Sequence, residues 1–239
     1  MKKTFQRFEK KFFLTTSQQE ALLKQIENNI EADVYDRYLV QSLYLDTSTW
    51  EVVRQSIEKP LYKEKMRLRC YARELTKDTM VFLELKKKYD SRIYKRRVAF
   101  LASELMASNS LEELVMEKDS PIAKELGFYL QTHPVANKMY ISAERKTFVG
   151  KNEPNLRLTF DEEIKFRTTD LHFMKPHVGA AVLASNEVLL EIKTPFGMPL
   201  WLAHVLSELE IFPISFSKYG HCYQILHKEL NDNYLKGDL

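Results

Sequence analysis

The chain has 239 residues, enough to bury a substantial core in one large domain or two small ones. A hydrophobic share of 44% and a charged share of 29% fit an ordinary globular protein, and a net charge of +3 is too small to mark a nucleic-acid binder or a polybasic membrane anchor. Cys70 and Cys222 exclude a disulfide framework and a metal knuckle, residues 1–11 lack the apolar stretch of a signal peptide, and no run approaches the ~20 apolar residues of a membrane span, so a cytoplasmic protein with reduced thiols is expected.

Gln6 to Thr15 is aromatic-rich and extended in character, with Arg7, Glu9 and Lys11 alternating with Phe8, Lys10 and Phe12. Ser17, with Glu20 three residues on, predicts a capped helix carrying Ala21, Leu22, Ile26 and Ile30 on its apolar side. Tyr38 to Asp46 reads as a strand and Thr47 to Ile57 as a short helix. Lys65 to Tyr71, Met80 to Tyr89 and Ile93 to Phe100 alternate as strands, and Tyr89-Asp90-Ser91 is the turn of a hairpin between the last two. Ala102 to Thr132 is helical in pattern. Strands are expected at Lys138 to Val149, Leu156 to Phe166 and Glu187 to Thr194. A helix then follows at Pro199 to Leu209, an extended stretch at Phe212 to Tyr219 and a closing helix from Gly220 to Tyr234.

With six glycines, no linker rich in Gly, Ser or Pro and no internal repeat, residues 1–239 are expected to form a single domain. Antiparallel strands with helices at the ends and between them give an α+β class. One charged and one apolar sheet face allow either an open sheet with a wetted side or a barrel with charges inside and helices outside.

Several strands repeat a charged, apolar, charged pattern: Glu9-Lys10-Lys11 (with a charged middle residue), Arg67-Leu68-Arg69, Glu84-Leu85-Lys86, Lys95-Arg96-Arg97 and Glu191-Ile192-Lys193, with Arg157 to Asp161 a longer version. Residues two apart on a strand share a face, so each pair projects its charges together. Solvated Lys–Glu ladders explain any one such strand, at ~0.2–1 kcal/mol per pair. They explain the set less well, because arginine recurs in mid-strand between leucines. Converging cations suit a chain of phosphates, which Arg forks and Lys meets as a point charge. Glu84 and Glu191 either neutralise these neighbours or offer hard oxygens to Mg²⁺ or Mn²⁺. The histidines, His204 and His221 among them, have no ligand spacing, and no GxxxxGK[ST], GxGxxG or GxSxG segment is present. Phosphate handling must then rest on side chains.

Arg7-Phe8-Glu9-Lys10-Lys11-Phe12, Ser42 to Thr47, Lys65 to Arg69, Phe82 to Lys86, Tyr94 to Arg97, Leu190 to Lys193 and Ser215 to Gly220 resemble, in order and over nearly the whole chain, the polyphosphate polymerase domain of the vacuolar transporter chaperone family, in a stand-alone bacterial form. The resemblance implies a triphosphate tunnel (CYTH-like) fold, a closed and mostly antiparallel eight-stranded barrel with helices outside. It also implies transfer of the terminal phosphate of ATP to a growing polyphosphate chain with Mn²⁺ or Mg²⁺. ATP and polyphosphate are the expected partners, with no nucleic acid and no membrane segment.

Carried over by position, the family's basic residues fall on Lys11, Arg67, Arg69, Lys86, Lys95, Arg145, Arg157 and Lys218, its metal-binding glutamate on Glu191, and a serine near the tunnel end on Ser217. Lys193 joins the phosphate-binding set, and Glu84 and Glu9 are further metal candidates. Ser215 stands where the family has a lysine, and Glu9-x-Lys11 is similar to the ExExK start of adenylate-cyclase and thiamine-triphosphatase relatives, with Arg7 for its first Glu. Triphosphate hydrolysis and non-catalytic polyanion binding are therefore the alternatives to synthesis.

Overall fold

The structure is a computed structural model that describes residues 8–236 except 91, 154 and 196. Its α+β elements are strands β1 (Phe8–Thr15), β2 (Ile30–Asp46), β3 (Tyr62–Cys70), β4 (Met80–Tyr89), β5 (Arg92–Leu101), β6 (Ala136–Gly150), β7 (Arg157–Arg167), β8 (Ala180–Ala181), β9 (Glu187–Thr194) and β10 (Pro213–Ile214). The helices are α1 (Thr16–Ile26), α2 (Glu51–Ile57), α3 (Ala102–Ala107), α4 (Leu111–Met116), α5 (Pro121–Thr132), α6 (Leu200–Glu208) and α7 (Lys218–Lys236). None of them, among the described residues, is long and apolar enough to cross a membrane.

The closed eight-stranded barrel is not what forms. The strands make one ten-stranded sheet in the order β10-β1-β9-β7-β6-β2-β3-β4-β5, with β8 paired to β7. The eight long strands are those the sequence predicts, but the path ends at β10 and β5 instead of closing. Physically, β10 is a two-residue strand that opens on Pro213, which has no N–H to extend a ladder, and β5 is an edge studded with Arg92, Lys95, Arg96 and Arg97.

Two compact units divide the chain: 1–39 with 143–164 and 183–216, and 40–142 with 165–182 and 217–239. In the first, Phe12, Leu14, Leu22, Ile26, Leu158, Phe160, Leu190 and Ile192 form the core that α1 and α6 cover. In the second, Leu68, Leu83, Leu85, Phe100, Leu126 and Tyr140 belong to a core that takes in one face of β3, β4 and β5 and side chains from α4 and α5. Within that unit the alternation of β3–β5 sends Met66, Leu83, Leu85 and Val98 inward and turns Arg67, Glu84, Lys95 and Arg97 to the other face.

Local chemistry moves several boundaries. Thr15, not Ser17, caps α1: its hydroxyl accepts from the Gln18 amide and the Gln18 side chain accepts from the Thr15 amide, a reciprocal capping box. The helical stretch 102–132 is three helices, because Ser110 caps α4 and Ser120, followed by Pro121, starts α5. β2 begins at Ile30, well before Tyr38. The extended stretch at 212–219 shrinks to β10, and α7 begins at Lys218, capped by the Ser217 hydroxyl, which accepts from the Gly220 amide at 3.3 Å. Gln6, Arg7 and Ser91, named in the sequence reading, lie outside the described residues.

Asp46, fully buried, organises the second unit. Its carboxylate accepts from the amides of Thr47 (2.8 Å), Val52 and Val53 (both 2.9 Å) and from the Tyr219 hydroxyl (2.7 Å), tying α7 to the start of α2. Asp46→Ala leaves those donors buried without an acceptor, so urea denaturation is expected to report a loss of about 3 kcal/mol. A loss below about 1 kcal/mol would show that water or a neighbour replaces the carboxylate.

Candidate functional site

In the second unit, β3, β4 and β5 pair antiparallel so that three rows of side chains cross one face: Lys65–Lys86–Lys95, Arg67–Glu84–Arg97 and Arg69–Phe82–Ala99. Glu84 is the one carboxylate in these rows. Arg67 donates from Nε and Nη2 to its Oε2 at 3.0 and 2.8 Å. Arg97 donates from Nε to Oε1 at 2.8 Å and from Nη2 to the same oxygen, where the Lys95 ammonium also lies at 2.6 Å. Glu84 is 1% exposed. Burial works against its charge, but Arg67, Arg69 and Lys95 hold its carboxyl well below the usual carboxylate range.

Tyrosines frame the cations. Arg67 Nη1 donates to the Tyr44 hydroxyl at 3.0 Å, and Tyr44 stacks on Tyr219 with centroids 4.4 Å apart. Burial alone would push the Tyr44 phenol up, yet Arg67 and Arg69 pull it below its ordinary value. Arg97 donates to the Tyr71 hydroxyl at 3.0 Å and lies over Phe82 at 4.4 Å. Arg69 is 6% exposed and its Nε is a buried donor without a partner among the described residues; burial and then the Arg67 charge pull its guanidinium below the ordinary value. Lys65 donates to Ser217 Oγ at 3.0 Å, which puts the N-terminus of α7 beside the lysine row. Lys218, the first residue of that helix, is close enough for its charge to lower Tyr44.

The first unit holds a second charged group. The register places Lys11 opposite Glu191, and Lys193 opposite both Glu9 and Arg157. Lys11 Nζ is 3.6 Å from Glu9 Oε1 and 3.6 Å from Glu191 Oε1, and donates to the Phe216 carbonyl at 3.0 Å. Lys193 Nζ is 3.4 Å from the other oxygen of Glu191. Arg145 forks Asp161 at 2.6 and 2.7 Å; burial opposes the guanidinium charge, but Asp161, with Glu191 adding, raises it well above its ordinary value. Arg157 pairs with Asp33 at 2.9 Å.

The two units therefore gather different parts of the expected set. Arg67, Arg69, Lys86, Lys95, Ser217 and Lys218 belong to one, and Glu9, Lys11, Arg145, Arg157, Glu191 and Lys193 to the other. The three metal candidates separate by environment. Glu84 has both oxygens engaged by guanidinium and ammonium groups, a setting that suits charge neutralisation. Glu9 and Glu191 hold an ammonium between them, where a cation fits. No group of three His, Cys, Asp or Glu suited to a metal is present among the described residues. A carboxylate pair completed by phosphate oxygens is nevertheless the ordinary way Mg²⁺ is bound, so the donors present fit that ion.

Four residues of these groups were not among the expected site residues: Arg97, Tyr44, Tyr71 and Asp161. Arg97 carried a signal, since it stands two residues after Lys95 on the same face. Asp161 stood in the same Arg157–Asp161 run. The tyrosines carried none, because only the fold brings them to the guanidinium groups.

An antiparallel α+β protein whose sheet presents the buried Arg69, the more accessible Arg67 and Arg97 and a row of opposed lysines to one face has the charge to meet a polyanion. Residues 6–227 match the family model of the VTC domain, and the chain belongs to the VTC domain family. That membership ties it to polyphosphate or triphosphate chemistry. No curated protein matches it. Among solved structures it is similar to a candidate adenylate cyclase of Bacillus halodurans (12% identity, 89% of this chain and 95% of the other, TM-score 0.49). It is also similar to one of Vibrio parahaemolyticus (11%, 91% and 97%, 0.47) and to a protein of Pyrococcus horikoshii (11%, 92% and 99%, 0.47).

Proposed function

We propose that the protein transfers the terminal phosphoryl group of ATP to the end of a growing polyphosphate chain and releases ADP. The observation that carries the substrate class is the row Lys65–Lys86–Lys95 beside Arg67 and Arg69. Like charges directly opposite one another on neighbouring strands destabilise a sheet. A chain with a negative charge on every repeat turns that cost into binding. The buried donor on Arg69 is a further place for a phosphate oxygen. Synthesis as the direction of the reaction is supported by the resemblance of these segments to the polyphosphate polymerase domain.

In this reading Arg67, Arg69, Lys86, Lys95 and Lys218 hold phosphate oxygens, and Glu84 keeps Arg67 and Lys95 aimed and spaced. In the first unit, Lys11, Lys193, Arg145 and Arg157 form a basic group of their own that suits phosphate oxygens, with Asp161 and Asp33 fixing the two arginines. Glu191 and Glu9 would hold Mn²⁺ or Mg²⁺, which would supply positive charge against the charge that develops on the transferred phosphoryl group. Ser217 positions Lys65 through its hydroxyl.

Triphosphate hydrolysis is the second reading. It is favoured by the Glu9–Lys11–Glu191 contacts, which put two carboxylates beside Lys11 of β1. One assay separates the two: purified protein with ATP and Mn²⁺, resolved for long polyphosphate and for free phosphate. Long chains are expected. Free phosphate alone makes the protein a hydrolase, and tight polyphosphate binding without turnover makes it a binding module.

Arg67→Ala is expected to weaken binding of polyphosphate about tenfold at low ionic strength and by less at high salt, measured by isothermal titration. Unchanged affinity at both salt concentrations would remove the β3–β5 face from the binding site.

A further inference from the structure

At the far end of β3–β5 the basic face gives way to a different surface. Leu61 (65% exposed), Tyr62 (48%), Tyr89 (51%) and Ile93 (36%) stand in solvent. They meet at the end of the sheet, where the row Tyr62–Tyr89–Arg92 lies on one face, the row Lys63–Lys88–Ile93 lies on the other, and the Asp90 amide donates to the Leu61 carbonyl at 3.1 Å. Interleaved with them are Lys59, Lys63, Lys88 and Arg92. The Lys63 ammonium is held below its ordinary value, first by burial and then by Lys88 and Lys59, so these lysines lie close enough to repel one another. Glu58 and Asp90 are the carboxylates of the same segments, while Glu64 is paired with Lys87 at 3.2 Å.

We infer that this tip is a docking surface for an anionic lipid bilayer, with Leu61, Tyr62, Tyr89 and Ile93 entering the interface and Lys59, Lys63, Lys88 and Arg92 meeting the headgroups. The composition chooses the occupant. A protein partner is a poor match, because lysine is depleted from the centres of protein interfaces. Inorganic polyphosphate in solution gains nothing from Leu61 or Ile93. A bilayer surface uses both kinds of residue: aliphatic and tyrosine side chains sit at the headgroup level, and each nearby Lys or Arg adds attraction to anionic lipid. The row Lys63–Lys88–Ile93 lies two residues along the strands from Lys65–Lys86–Lys95, a step of about 7 Å. A bilayer docked here would border the proposed phosphate-binding face.

Sedimentation of the whole chain with vesicles tests this. Binding is expected to vesicles of phosphatidylcholine mixed with phosphatidylglycerol, falling with added salt, and not to phosphatidylcholine alone. The double variant Leu61→Ser with Tyr89→Ser is expected to bind the mixed vesicles about tenfold more weakly, and to bind soluble polyphosphate as the wild type does. Both side chains are exposed, so the variant keeps the fold, and an unchanged melting temperature verifies that. Absence of binding to the mixed vesicles, or full binding by the double variant, overturns the inference. A parallel loss of polyphosphate binding also overturns it, because the tip would then be reading phosphate in solution.

Discussion

Glu84→Gln is expected to destabilise the protein by about 3–5 kcal/mol, the usual cost of removing one partner from a buried ionic group. The substitution keeps size and shape but removes the charge that Arg67, Lys95 and Arg97 share. What remains is a set of cations facing one another across adjacent strands, with Arg69 in the next row. The wild-type carboxyl is held below the ordinary range, so its contribution is complete above the unfolded value of ~4.3 and is lost as pH falls toward the lower folded value. Urea midpoints measured from neutral pH down to about pH 3 should therefore fall in the wild type and fall less in Glu84→Gln, which has already lost this term. Added salt should recover part of the variant's loss, since screening acts on the repulsion left behind. A variant as stable as the wild type at neutral pH would mean that the cations are held by groups other than Glu84.

How far the sequence carries can be read from these same strands. Alternation in Lys65–Tyr71, Met80–Tyr89 and Ile93–Phe100 placed β3, β4 and β5 and assigned their faces correctly, because a period of two with one apolar side leaves one register that buries it. The interruptions between α3, α4 and α5 were written in Ser110 and in Ser120-Pro121, but a run of leucines at helical spacing masks a cap unless the cap is sought first. Closure of the sheet was not legible. Whether an edge strand finds a partner depends on distant segments, and here Pro213 and a cationic edge end the ladder.

For the candidate site, residue type was legible and pairing was not. The repeated charged pattern identified Arg67, Glu84, Lys86 and Lys95 together, and the register shows why: they occupy two neighbouring rows of one face. The role of Glu84 needed three dimensions. Sequence alone left it between neutralising cations and holding a metal, and the contacts to Arg67, Lys95 and Arg97 favour the first. Tyr44 and Tyr71 came from hydrogen bonds that cross 23 and 26 residues of sequence, which no local spacing encodes.

Glu191→Gln is expected to reduce ATP turnover about a hundredfold or more while sparing the fold. The contrast with Glu84 lies in geometry. Glu191 meets Lys11 and Lys193 at 3.6 and 3.4 Å, longer than the contacts that bind Glu84, so losing its charge is expected to cost less stability than Glu84→Gln does. Its loss matters to a bound cation, because glutamine offers one neutral oxygen where the carboxylate offers charge. Electron paramagnetic resonance of Mn²⁺ in the presence of polyphosphate separates the causes: the variant should bind the ion more weakly, and Glu9→Gln should do so to a smaller degree. An inactive Glu191→Gln that binds Mn²⁺ as tightly as the wild type would assign Glu191 to holding Lys11 and Lys193 in place. Full turnover in the variant would remove it from the chemistry and leave Glu9 as the remaining carboxylate beside Lys11.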